Sequence, residues 1–241
     1  MMNEDEKPPS RYDFLAGEVL LVDKPKEWTS FDVVNKIRYK LKRRLGVKKI
    51  KVGHAGTLDP MATGLLIICT GKATKRINEY QGLSKDYTGT MYLGATTPSY
   101  DAETEHNETF PTDHITADLI HTAREQFLGD LEQIPPMFSA IKVDGQPLYK
   151  KARKGEVIEV KPRPVHIFNF ELTNIDLPNI DFAVKCSKGT YIRSLAHDFG
   201  KAVRSGAYLT ALCRTKVGAF KLEDAWNLEE LVEFLEEAPV I

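Results

Sequence analysis

The chain has 241 residues, with 33 Lys+Arg against 34 Asp+Glu and 42% hydrophobic residues, the make-up of a soluble globular chain that needs no disulfide or metal to hold its core. Its longest apolar run, Gly64 to Cys69, is far short of the roughly 18–20 residues of a membrane-spanning helix, and its acidic, proline-bearing start is unlike a secretory signal, so the expected location is the cytoplasm. Three widely spaced cysteines, Cys69, Cys186 and Cys213, fit neither a disulfide framework nor a metal knuckle and read as reduced thiols.

In chain order, residues 1–16 read as a disordered tail, and Glu18 to Asp23 as a strand stopped by Lys24-Pro25. Ser30 is the expected cap of a helix in which Phe31, Val34, Ile37, Leu41 and Leu45 recur at three- and four-residue steps, with its Lys/Arg residues outward and Gly46 as its stop. Ile50 to Gly53 reads as a short strand, His54 to Gly64 as turns, and Leu65 to Thr70 as a buried strand. Lys85 to Gly94 alternates as a strand, and Thr116 to Leu128 is an amphipathic helix. From Pro135 to Pro164, prolines, glycines and cations interleave with Phe138 and Tyr149 in an elaborated loop or hairpin. Ile180 to Ser187 reads as a strand, Thr190 to Val203 as a helix, Tyr208 to Val217 as a strand and Leu228 to Glu237 as an acidic helix. Without βαβ alternation these elements predict an α+β fold with a largely antiparallel sheet.

The balanced total conceals segregated charge. From Lys24 to Lys51 eleven cations face only Glu27 and Asp32; from Lys142 to Arg163 seven face three acids; from Lys185 to Lys216 seven face Asp198. Acid gathers instead from Asp101 to Glu132 and after Lys221. Such blocks suit a polyanion partner or plain solvated helix faces, and charge alone leaves both open.

Gly53-His54-Ala55-Gly56-Thr57-Leu58-Asp59-Pro60-Met61-Ala62-Thr63-Gly64 is the unusual segment, a glycine-rich loop with a single acid. No second carboxylate stands nearby for paired acid–base work, and Gly71-Lys72-Ala73 does not complete a phosphate loop. Asp59 alone reads equally as the acid of an Asx-type turn.

The segment resembles the active-site signature of the TruB family of tRNA pseudouridine synthases, GHxGTLDPxAxGxL, with every fixed position present from Gly53 onward. Further stretches resemble the family in order: Val22-Asp23-Lys24-Pro25 with Trp28-Thr29-Ser30, Lys85-Asp86-Tyr87-Thr88-Gly89, Ser139 to Gly145 with Tyr149 and Ala152 to Gly155, and Gly189 to Asp198. The resemblance implies a pseudouridine synthase fold over 17–220, a mixed, mainly antiparallel sheet flanked by helices, with a basic thumb at about 133–164. It leaves an acidic helix at 221–241 where many relatives carry a PUA-type RNA-binding domain. It implies conversion of uridine 55 in the tRNA T-loop to pseudouridine, with Asp59 as the catalytic carboxylate and Arg193 keeping it ionised and aimed. It assigns Tyr87, His54, Leu212, Lys24 and Tyr191 to the substrate, and Lys142, Lys150, Lys151, Arg153 and Lys154 to RNA phosphates. It further implies no metal or other cofactor, no guide RNA, no membrane, and a monomer whose partner is the T-arm stem-loop of tRNA. An RNA-binding module without chemistry and an N-glycosylase that cleaves without rejoining are the alternatives.

Overall fold

The structure, a computed structural model, describes residues 12–143, 145–156 and 158–237. It forms two compact units, one from the chain up to Leu83 together with the chain from Arg214 on, the other from Ser84 to Cys213. Of the tail expected over 1–16, residues 1–11 lie outside the described part, but the rest is ordered. Phe14 is buried in the first core and stacks on Tyr12, and Asp13 Oδ1 accepts from the Leu15 and Ala16 amides.

In the first unit the Val19–Lys24 strand runs antiparallel to Thr63–Thr70, which also takes the short Val52–His54 strand on its other side. Trp226–Asn227 adds in parallel to Val19–Lys24. The basic helix spans Ser30–Leu45, and its cap is Thr29 rather than Ser30. Thr29 and Asp32 make a reciprocal capping box, the Thr29 side chain accepting from the Asp32 amide and the Asp32 carboxylate from the Thr29 amide. Ser30 is turned inward. Gly46 closes the helix at φ 63°, a left-handed conformation that favours glycine. The buried face, Val33, Val34, Ile37 and Leu41, shares a core with Leu228, Leu231, Val232 and Leu235 of the acidic helix Leu228–Glu237. Each such side chain contributes about 1.5–3 kcal/mol by leaving water.

In the second unit the strands Lys85–Leu93, Asn179–Cys186, Arg163–Asp176 and Gly129–Gln133 pair antiparallel in that order. Phe127, Phe170, Phe182 and Phe199 form an aromatic cluster that joins this sheet to the Ile192–Ala202 helix. Arg163–Asp176 has no counterpart among the predicted elements. Its register shifts between Ile167 and Asn169 and again between Leu172 and Asn174, so its buried positions, Val165, Ile167 and Phe170, break the two-residue alternation. Arg163 pairs with Gln133, so the thumb excursion runs over 134–162 and holds a hairpin, Lys142–Val143 with Gln146–Pro147, and a short Leu148–Ala152 helix. The Ala207–Val217 strand carries the chain from the second unit into the first. The sheet is mixed and mainly antiparallel, and α+β describes the fold. All three cysteines are thiols, and burial pushes Cys69 up to about 11.

Candidate active site

The loop bearing Asp59 joins the Val52–His54 and Thr63–Thr70 strands, and its backbone is held at nearly every step. Gly56 and Gly64 turn it at φ 97° and 101°, conformations that side chains rarely adopt. The Ala55 amide donates to Ile67 O at 2.9 Å and the Gly64 amide to Asp23 Oδ1 at 3.1 Å. The inward Ser30 hydroxyl accepts from the Leu58 amide at 2.8 Å and donates to Leu58 O at 3.2 Å, so the residue before Asp59 is tied to the start of the basic helix on both its polar groups.

Two buried cations complete the cage. Lys24, wholly enclosed, donates to Pro25 O at 2.8 Å, Trp28 O at 2.6 Å and Pro60 O at 3.4 Å. Burial pulls its ammonium down to about 8, against the opposing pull of the Asp59 and Asp23 carboxylates. Arg214 is 1% exposed and spreads its fork over three carbonyls, Nε to Leu65 O at 2.8 Å, Nη2 to Gly56 O at 3.1 Å and Nη1 to Thr57 O at 3.4 Å. A planar five-donor group suits a loop that leaves several carbonyls turned inward. His54 lies beside this cage; burial, aided by the Arg214 charge, holds its imidazole below the usual histidine range, so it is neutral near pH 7.

The other expected residues lie in the second unit. Arg193, in the first turn of its helix and 3% exposed, donates to Ser99 O at 2.9 Å and Phe138 O at 2.8 Å, with Asp101 Oδ2 3.6 Å from Nε. Asp101 is itself fixed by the Ser99 hydroxyl and the Glu103 amide. The expected helix start at Thr190 moves to Ile192, because the Tyr191 backbone is engaged by the Gln133 side chain, its amide donating to Oε1 at 2.7 Å and its carbonyl accepting from Nε2 at 3.0 Å. With Ser194 Oγ donating to Ile134 O at 2.8 Å, these bonds fasten the base of the thumb. Tyr87 is buried on the Lys85–Leu93 strand opposite Val184, and Leu212 is half-buried. On the thumb Lys142, Lys150 and Lys154 are exposed, Lys151 is half-buried, and Arg153 pairs with Glu103 at 2.9 Å while covering the Tyr149 ring.

Sequence reasoning missed Arg214, Asp101, Gln133 and the inward role of Ser30. The signal for Arg214 was a charged residue directly after the apolar Ala211, Leu212 and Cys213 of its strand; the others carry no pattern, being paired across 28 to 92 positions. Among the described residues no group of three or more His, Cys, Asp and Glu is placed to hold a metal ion.

This α+β framework, with an irregular loop presenting one acid, is that of the pseudouridine synthases. A chain of the Cbf5–Nop10–Gar1 complex superposes with a TM-score of 0.71 at 30% identity, covering 98% of this chain and 61% of the other. A chain of an H/ACA RNP bound to a substrate RNA containing 2′-deoxyuridine gives 0.66 at 26%, covering 96% and 61%. The present chain thus spans about 61% of the length of those solved chains.

The chain belongs to the TruB family. The profile of the TruB family pseudouridylate synthase N-terminal domain matches residues 42–192, and that of the tRNA pseudouridylate synthase B C-terminal domain matches 193–238. Proteins called tRNA pseudouridine synthase B are 59% identical in Flavobacterium johnsoniae, covering 93% of this chain and 98% of that one, and 58% identical in Phocaeicola vulgatus, covering 94% and 97%. The chain is accordingly an isomerase. No helix among the described residues is long and apolar enough to cross a membrane.

Proposed function

We propose that this chain isomerises uridine 55 in the T-loop of tRNA to pseudouridine, with Asp59 as the catalytic carboxylate and with neither guide RNA nor cofactor. In this reaction the bond from C1′ to N1 breaks, a bond from C1′ to C5 forms, C5 gives up a proton and N1 takes one. Nothing is gained or lost overall. One carboxylate therefore serves both halves, because the group that assists departure of the base is still in place when the base has turned.

The observation that carries the reading is the cage around the signature loop. Lys24, Ser30 and Arg214 clasp the backbone at Gly56, Thr57, Leu58 and Pro60, so Asp59 is presented from a fixed point. All three donors of Lys24 go to carbonyls, which makes it a positioning residue for the loop that carries Asp59. Arg193 is assigned to the reaction as its second charge; within its own unit its planar fork is held by Ser99, Phe138 and Asp101. A uridine within a folded loop must be extruded to react; Tyr87, Leu212 and Tyr191 are assigned to the extruded nucleotide and neutral His54 to its surroundings. Thumb cations meet phosphates and supply attraction without base reading.

Mapping pseudouridine in an unmodified tRNA transcript tests the reading. The wild-type chain is expected to convert uridine 55 in the presence of a chelator. Asp59→Asn is expected to abolish conversion while binding tRNA within a few fold, since shape and hydrogen bonding persist. Turnover by Asp59→Asn overturns the assignment of Asp59; binding without conversion by the wild type favours the RNA-binding module.

A further inference from the structure

We propose that the outward face of the Ser30–Leu45 helix is a second RNA-docking surface, taking tRNA phosphates on its cations and stacking an unpaired base on Phe31 or Tyr39. The inference rests on the tRNA reading above.

The helix buries Ser30, Val33, Val34, Ile37 and Leu41. At about 100° per residue, Phe31, Lys36, Tyr39, Lys42 and Arg43 fall on the opposite arc, with Arg38 and Lys40 at its two edges. Phe31 and Tyr39 are 59% and 56% exposed, among the most exposed large hydrophobic side chains of the described chain. Single exposed aromatics are ordinary, but these two share one basic face and each has a guanidinium against its ring. Arg38 lies 5.9 Å from the Phe31 centroid and Arg43 5.7 Å from that of Tyr39. Arg38 is pinned there by Asn35 Oδ1 at 2.7 Å and Val52 O at 2.8 Å. An aromatic ring backed by a fixed cation is a stacking platform for a base, and the same cations attract the adjoining phosphates.

The charge of the face is uncompensated by its own helix. Asp32 is its one acid, and that carboxylate is occupied by the amide and hydroxyl of Thr29. Glu236 of the acidic helix pairs with Lys40, at the edge of this face, and lies close enough to feel the charges of Arg43 and Lys36, while Lys42 stands clear of it. Beyond Gly46 the exposed Lys48, Lys49 and Lys51 extend the positive surface. An anionic bilayer would also attract cations, but it needs an aliphatic face to insert, and here that face is the core. RNA is the partner that uses both the charge and the aromatic rings.

Two variants test the proposal, Lys36→Gln/Lys42→Gln/Arg43→Gln and Phe31→Leu/Tyr39→Leu, with thermal melts to verify folding and Lys36→Arg/Lys42→Arg as the charge-conserving control. Binding of an unmodified tRNA transcript is measured over a range of KCl, together with turnover at saturating tRNA. The charge variant is expected to lose about 2 from the log–log salt slope, at roughly 0.7–0.9 per phosphate contact, while the arginine control keeps it. The aromatic variant is expected to bind about fivefold or more weakly with its slope retained. Turnover at saturation stays at the wild-type rate. Unchanged affinity and slope in both variants overturn the proposal. So does loss of sedimentation with phosphatidylglycerol vesicles alongside intact tRNA binding, which reassigns the face to membranes. Binding is scored whether or not the transcript is isomerised, so a wild type that binds without converting counts against the enzymatic reading and leaves this comparison decisive.

Discussion

Arg214 and Lys24 hold the same loop by different chemistry, and the difference is measurable. A lysine at 214 places one compact ammonium where a fork now reaches Gly56, Thr57 and Leu65. At least one inward carbonyl then lacks its donor, at a cost of about 1–3 kcal/mol. Arg214→Lys is expected to reduce kcat on the order of 10- to 100-fold, with tRNA affinity within a few fold, because a displaced loop misaims Asp59 without altering the phosphate contacts. Single-turnover rates alongside binding isotherms check this. Lys24 carries a pH signature instead. Its folded value of about 8 lies below its ordinary 10.5, so the cost of burying the charge is fully present below pH 8 and is relieved between those values, where the unfolded chain still binds a proton that the folded chain has released. Stability of the wild type relative to Lys24→Met is therefore expected to rise from pH 8 to 10.5, read from urea midpoints; a flat difference refutes it. Arg193→Lys is expected to lose most turnover, since an ammonium cannot serve Ser99, Phe138 and Asp101 in one plane.

At the scale of elements, the first turn of the basic helix separates stability from catalysis. Thr29→Ala removes a cap worth about 1 kcal/mol and leaves the loop alone, so the melting point falls and turnover holds. Ser30→Ala, one residue on, strips the Leu58 amide of its acceptor and is expected to lower both. Melting and rate measurements on the pair decide it. The adjacency also explains what was readable beforehand. Periodicity located the helix and its Gly46 stop, because burial of Val34, Ile37 and Leu41 follows from helical spacing. It did not distinguish Thr29 from Ser30 as the cap, since both hydroxyls suit the position and only the Leu58 contact, 28 residues away, turns Ser30 inward. The Arg163–Asp176 strand escaped for a related reason, its bulges being set by its partners in the sheet. The loop around Asp59 was conspicuous in sequence; the side chains that clasp it were not, because they arrive from distant strands and helices.

Across the whole molecule, opposite charges are sorted onto separate elements, and the sorting ranks the proposed RNA contacts. On the thumb, Lys150 and Lys154 stand in solvent, whereas Arg153 already has Glu103 and the Tyr149 ring. Lys150→Gln/Lys154→Gln is therefore expected to flatten the salt dependence of tRNA binding by about 1.5 on the log–log slope. Arg153→Gln should change it less, because the cation it removes was partly neutralised before RNA arrived. Filter binding across KCl concentrations checks the ranking; equal effects refute it. In the first unit the acidic helix Leu228–Glu237 shields the basic helix at Lys40 and leaves the far side positive.

The second unit is an insertion within the first, entered after Leu83 and left at Arg214, and this order matters when the protein is made. The apolar side of the basic helix waits for Leu231 and Leu235 to close its core, and Arg214 emerges after the whole inserted unit. During synthesis the signature loop is translated early but stays without its guanidinium clasp for on the order of ten seconds. The nascent chain therefore acquires a foldable thumb-bearing unit before the signature loop becomes rigid, so on the proposed role of Asp59 competence for chemistry arrives last.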